Sequence, residues 1–358
     1  MRRAVVSVLL TTALVAACSG ESEQLPPGPG AVASTSTAPT TTSAEAACTL
    51  SDKLVPSCGV LWGISTNPAT QATLQAAEKD KGRTFDLVYR YHDIVADFPD
   101  DDERAVVREG RTLHIAIAAR EYGEGEDTVS YADIARGTYD AGLRRQAKGL
   151  ASLNAPVFVT FEQEANQRRK LGVRGSAEDF KAAWRHVHEV YAAEGATNAV
   201  WVWVMTGAAE NLSRAGQLWP GNDVVDWISW NVYNGSGCNS GKVKPASYET
   251  FEQGLKPFYD WVRRSGPALG IDRDKPMMIS ESGSVIYRDD LARTAGWYRQ
   301  IPEVLPRYPQ VKAIALWASS TSEACDYRFH RYPEVAQAVA EIAQSPLLRR
   351  RVGFAPPS

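Results

Sequence analysis

The stretch PVFVTFEQEANQ, residues 156–167, decides the fold: an unbroken apolar and β-branched run gives way at once to Glu162, Gln163, Glu164 and Asn166. An apolar run this short reads as a buried strand rather than a helix. Seven further runs of the same kind are VLWGIS (60–65), FDLVYRY (85–91), TLHIAIAA (112–119), AVWVWVM (199–205), DWISWNVY (226–233), PMMISES (276–282) and VKAIALWA (311–318). Longer amphipathic stretches lie between them. In EDFKAAWRHVHEVYAA (178–193), Phe180, Trp184, Val187 and Tyr191 fall on one helical face. Strands of buried type alternating with helices predict the α/β class and a (β/α)8 TIM barrel. An open doubly wound sheet is the rival, but no Gly-rich phosphate loop follows any of the strands.

Active sites of such barrels lie at the C-terminal ends of the strands, so the polar residues just past each run carry the chemistry. Glu164 follows the fourth run and Glu281 ends the seventh; they are 117 residues apart, or 39 per βα unit over three units. Two carboxylates facing each other across a barrel mouth are the equipment for glycoside hydrolysis, one a protonated acid and the other an ionised nucleophile. A gap of about 5 Å between them implies retention through a glycosyl-enzyme intermediate. The alternative is a pair of exposed strand-end glutamates.

PVFVTFEQEANQ, followed by EDFKAAWRHVHEVYAAEGATNAVWVWV, resembles the central region of glycoside hydrolase family 26, best known for β-mannanases. GTYDAGLRRQAKGL before it, WPGNDVVDWISWNVY after it and KPMMISESG further on extend the resemblance over roughly residues 130 to 320. It implies Glu164 as acid/base and Glu281 as nucleophile. It further implies Tyr233 as the tyrosine that hydrogen-bonds the nucleophile and Trp317 as the aromatic platform beneath the sugar. Three departures stand out. Thr160 occupies the position of an Arg, Gln163 that of a His, and Gln167-Arg168-Arg169-Lys170 replaces a Gly-x-Trp stretch. Gln163 can still offer an amide hydrogen bond to a sugar hydroxyl. Reaction class therefore transfers better than substrate.

Asn166 is expected to shape the loop of the acid and to stand among the substrate contacts, and Glu162, sharing strand parity with Glu164, is the fallback acid. Trp203 and Trp230 are further candidates for the cleft, with core packing as the alternative. His186 and His188, two apart on a helix, face different sides and make a poor ligand set. Ser282 lies outside a Gly-x-Ser-x-Gly elbow, so a serine hydrolase has no support. The predicted chemistry needs neither a metal nor an organic cofactor.

Arg2 and Arg3 precede an apolar stretch, Ala4 to Ala17, too short to span a bilayer. It ends Leu14-Val15-Ala16-Ala17-Cys18, which resembles a bacterial lipobox and implies an export signal over residues 1–18 with Cys18 lipidated. Residues 19–46, rich in Ser, Thr and Pro, read as a flexible stalk. The hydrolase domain is expected over 47–348 and a C-terminal tail over 349–358. In an exported chain, Cys48, Cys58, Cys238 and Cys325 suggest disulfides. Three pairings are possible; Cys48–Cys58 with Cys238–Cys325 is favoured because the first closes a short loop. The 358 residues carry a net charge of −3, which offers no basic field for nucleic acid. The expected molecule is a monomer at the outer face of a bacterial membrane, touching that membrane only through its lipid and acting on a polysaccharide.

Overall fold

The structure, a computed structural model, describes residues 48–122, 127–349 and 352–354. The expected signal segment, Cys18 and the stalk lie outside the described residues. Eight strands form a closed, all-parallel barrel in chain order: β1 (Leu61–Thr66), β2 (Leu87–Asp93), β3 (Thr112–Ala118), β4 (Val157–Phe161), β5 (Ala199–Thr206), β6 (Trp227–Asn234), β7 (Met277–Ser284) and β8 (Val311–Ala318). β8 closes on β1 through Ala313 to Ala318 beside Leu61 to Thr66. The predicted (β/α)8 barrel is what forms.

The outer layer is α1 (Gln71–Glu78), α2 (Asp101–Arg108), α3 (Asp140–Ala151), α4 (Ala177–Ala193), α5 (Leu212–Gln217), α6 (Phe251–Arg264), α7 (Leu291–Val304) and α8 (Pro333–Ala343). α4 starts where Ser176 and Asp179 form a capping box. Phe180, Trp184, Val187 and Tyr191 are all buried, as the helical period requires. None of the described helices is long and apolar enough to cross a membrane.

Strand alternation divides the apolar residues into two cores. One lies between strands and helices. The other fills the lumen with Phe158, Val200, Val202, Val204, Trp227 and Met278, and Leu50 and Leu54 pack into it from below. Trp227 Nε1 donates to the carbonyl of Lys53 at 2.7 Å, and the Cys48–Cys58 disulfide ties this plug together. Val352–Phe354, within the segment assigned to a tail, runs parallel to Cys48–Leu50. The N-terminal mouth is thus sealed, and chemistry is left to the other end. Leu54→Ala should cost about 2–5 kcal/mol through the cavity left by its fully buried side chain. Urea denaturation reads this; a cost under about 0.5 kcal/mol would show that the plug does not support the barrel.

Candidate active site

The site is built on a strained exit from β4. Glu162 (φ 49°) and Glu164 (φ 57°) both adopt the left-handed conformation, which costs side-chain-bearing residues about 1–2 kcal/mol each. Cross-strand bonds hold it. Glu162 N–H donates to the Ile117 carbonyl of β3 at 2.7 Å, and Glu164 N–H to the Val204 carbonyl of β5 at 2.8 Å. The two turns break strand alternation, so Glu162 and Glu164 do not share a face. Glu162 is wholly buried, with Oε2 accepting from Ala119 N–H and Oε1 2.8 Å from Lys170 Nζ and 2.5 Å from Arg174 Nη1. This corrects its place as fallback acid.

Glu164 faces the cleft. Its Oε1 accepts from Asn231 Nδ2 at 2.9 Å and its Oε2 from Gln167 Nε2. Asn231 is itself fixed, because Ser280 Oγ donates to Asn231 Oδ1 at 3.1 Å. With its proton committed there, Ser280 accepts from Ser229 Oγ at 2.7 Å. Asn166, expected among the substrate contacts, is completely buried. It accepts from Thr206 N–H at 2.9 Å and donates to the Thr206 carbonyl at 3.2 Å, pinning the β4 exit to the β5 exit. It shapes the loop of the acid without reaching the cleft.

On β7 the register against β6 slips between Ile279 and Glu281. The extra residue lets Ser280 point into the lumen while its neighbour Glu281 turns into the cleft. Tyr91 OH donates to Glu281 Oε1 and Tyr233 OH to Oε2, each at 2.8 Å. Burial raises both phenols well above their ordinary range, so they remain protonated donors. Burial also raises Glu281 from 4.5 to about 7, assisted by the charge of Glu164 and opposed by the two phenol bonds.

A cavity of about 690 Å³ joins Glu164, Glu281, Gln163, Tyr91, Tyr233 and Trp317. Gln163 lines the cavity, and its buried Oε1 has no hydrogen-bond partner among the described residues. Trp317 meets Tyr233 edge-on, with ring centroids 6.1 Å apart, and Tyr327 at 5.5 Å. The Cys238–Cys325 disulfide packs with these rings, so both favoured pairings form. A second cavity of about 450 Å³ shares Glu164 and Tyr233 and extends along Gly207, Glu210 and Glu249. Trp203 is a correction: it points outward, wholly buried against Trp219 and Phe258. Trp230 likewise stacks on Phe258 at 5.1 Å. Ser282 is buried, donating to the Ala315 carbonyl. His186 pairs with Asp140, and the described residues contain no metal-ligating cluster. The sequence reading missed Tyr91, Asn231 and Gln167. Asn231 stood two residues before Tyr233 on the same strand face, which was the signal available for it.

No family model matches the chain. Endoglucanase H of Acetivibrio thermocellus is 26% identical over 291 residues, covering 78% of this chain and 29% of that protein. The β-1,3-xylanase TXYA of a Vibrio species is 25% identical over 158 residues, 44% of this chain and again 29% of that protein. The chain thus spans under a third of the length of these relatives. Among solved structures, a family 26 β-mannanase from Bacteroides ovatus superposes with a TM-score of 0.60 at 14% identity, covering 83% of this chain and 90% of that one. A modular endo-β-1,4-mannanase from Cellulomonas fimi gives 0.58 at 15% identity, covering 84% and 76%. The barrel shares its fold with these family 26 mannanases.

Against the family 26 pattern, the lumen layer beneath the carboxylates is neutral. Thr160 Oγ1 donates to the Val202 carbonyl at 3.0 Å and therefore accepts from His114 Nε2 at 2.8 Å. Burial pushes His114 down to about 3, so it carries no charge. The nearby cation is Lys170, whose Nζ donates to the Gln163 carbonyl and whose charge lowers Glu281.

Two outcomes follow for stability. The pKa of Glu281 is raised on folding, so its charge destabilises the fold increasingly from pH 4.5 to about 7 and fully above that. Glu281→Gln should therefore melt several degrees above the parent at pH 8, with the gap closing below pH 4.5; equal melting curves at pH 8 would contradict it. Glu162→Gln strands two buried cations and should cost about 3–5 kcal/mol in urea denaturation. A loss below about 1 kcal/mol would show the cluster to be solvated.

Proposed function

We propose that the chain is a retaining glycoside hydrolase of a β-linked polysaccharide, endo-β-mannanase-like, with β-mannan the first substrate to test. The observation that carries this is the pairing of two carboxylates in one cleft with different partners. Glu281 is gripped by two phenols, and Glu164 by two amides. Phenol donors favour the ionised form of Glu281 and aim it as the nucleophile at the anomeric carbon. Glu164 protonates the leaving oxygen and afterwards takes the proton of the attacking water. Trp317 offers its ring to the sugar, and Gln163 its free amide oxygen to a hydroxyl.

The relatives are named for mannan, glucan and β-1,3-xylan, so the fold leaves the sugar open. We further take the enzyme to be exported and held by lipid at Cys18, which suits either a foreign polysaccharide or the cell's own envelope glycan. The changed positions Thr160, Gln163 and Arg169 favour a second reading, a catalytically silent carbohydrate-binding lipoprotein on the same scaffold.

Reducing-sugar release from β-mannan, galactomannan, β-xylans, mixed-linkage β-glucan and bacterial envelope polysaccharide separates these readings. Glu164→Ala and Glu281→Ala should each lose about 10²–10⁴-fold while staying folded. Azide then assigns the roles. With Glu281→Ala it should give a glycosyl azide of inverted configuration, and with Glu164→Ala one of retained configuration. Binding without release from any substrate would leave the silent lipoprotein standing.

A further inference from the structure

Resting on the reading of this cleft as a glycan site, we infer that the sugar unit seated beside Gln163 carries an anionic group, a carboxylate, sulfate or phosphate, recognised by Arg169. Apart from the two paired carboxylates, Arg169 is the one charged residue lining the larger cavity among the described residues. It stands in the stretch where the family 26 resemblance places Gly-x-Trp. A flat ring suited to a neutral sugar face is thus replaced by a permanent cation with a fork of donors.

Arg169 is not an idle surface arginine. Its Nε donates to Gln167 Oε1, and Gln167 Nε2 donates in turn to Glu164 Oε2. The side chain is therefore anchored to the acid through Gln167, and its remaining nitrogens have no partner among the described residues. It makes no ion pair among the described residues. Of its basic neighbours, Lys170 and Arg174 are already committed to Glu162. A sugar covering this guanidinium removes water from it, and an uncompensated charge resists desolvation. An anionic substituent compensates it and can do so through two parallel hydrogen bonds. The charge also gives direction. The second cavity presents Glu210 and Glu249, which have no cationic partner among the described residues, and repels the same group, so the acidic unit belongs on the Arg169 side.

The test measures binding in the Glu281→Gln background, so it does not depend on turnover and is decided even by a chain that hydrolyses nothing. The probes are glucuronic-acid-bearing xylo-oligosaccharides, the same oligosaccharides after carboxyl reduction, β-mannohexaose, and its 6-sulfated and 6-phosphorylated forms. At least one acidic probe should bind about tenfold or more tighter than its neutral counterpart, and which pair shows it names the anion. That advantage should shrink in 0.5 M NaCl, and the acidic-to-neutral ratio should collapse towards one in Arg169→Gln. Arg169→Lys, which keeps the charge and loses the fork, should retain part of the ratio. Neutral probes binding as tightly as every acidic one, or a preference that survives Arg169→Gln, would overturn the inference.

Discussion

Two carboxylates cannot both be ionised cheaply in one buried pocket, and the upper half of this barrel is arranged around that repulsion. The two carboxylates differ in their partners. Two phenols, kept protonated by burial, donate to both oxygens of Glu281. A phenol donating to a carboxylate stabilises the charged form, so these two bonds favour the charge on Glu281. The direction of Glu281 is still upward, because burial and Glu164 together outweigh the phenols.

Holding the pair in register takes backbone strain. The left-handed turns at Glu162 and Glu164 persist because the surroundings over-determine them. β3 and β5 each accept one backbone bond, Asn166 clasps Thr206, and Lys170 donates to the Gln163 carbonyl. Stability for this comes from elsewhere in the chain. The lumen below is packed with Val200, Val202, Val204 and Met278 and closed by Leu50 and Leu54, far from the chemistry. Barrels commonly separate a stabilising face from a reactive one, and here the separation lets the reactive face keep strained turns and a destabilising carboxylate.

The same turns mark where the sequence could be read and where it could not. Period-two alternation, run length and the helical face of Phe180 to Tyr191 are local signals, and they placed the strands, α4 and the spacing of Glu164 to Glu281. Parity along β4 fails at Glu162, because two left-handed residues rotate the chain, and no propensity announces a left-handed glutamate. Trp203 was misplaced for a related reason. AVWVWVM is apolar on both faces, so its letters do not tell lumen from helix side, and only the packing of Trp219 and Phe258 does. Tyr91 and Asn231 were missed because each acts on a residue from another strand, at separations of 190 and 67. Contacts of that range are set by barrel closure, which local pattern does not encode.

The departures from the family 26 pattern also read differently once they are seen together. Taken singly, Thr160, Gln163 and Arg169 suggest a decaying site. In space they form one set. Thr160 pairs with a neutral His114, so the lumen layer carries no charge. Lys170, on the loop that replaces the aromatic stretch, supplies a cation within electrostatic reach of Glu281. Its partner Glu162 is buried on the turn that presents Glu164. Both oxygens of both carboxylates nonetheless have donors. A cation on the loop where the family pattern has one on the strand, together with an anchored guanidinium in the cleft, leaves the carboxylate pair fully partnered, which supports the proposed hydrolase over a silent scaffold.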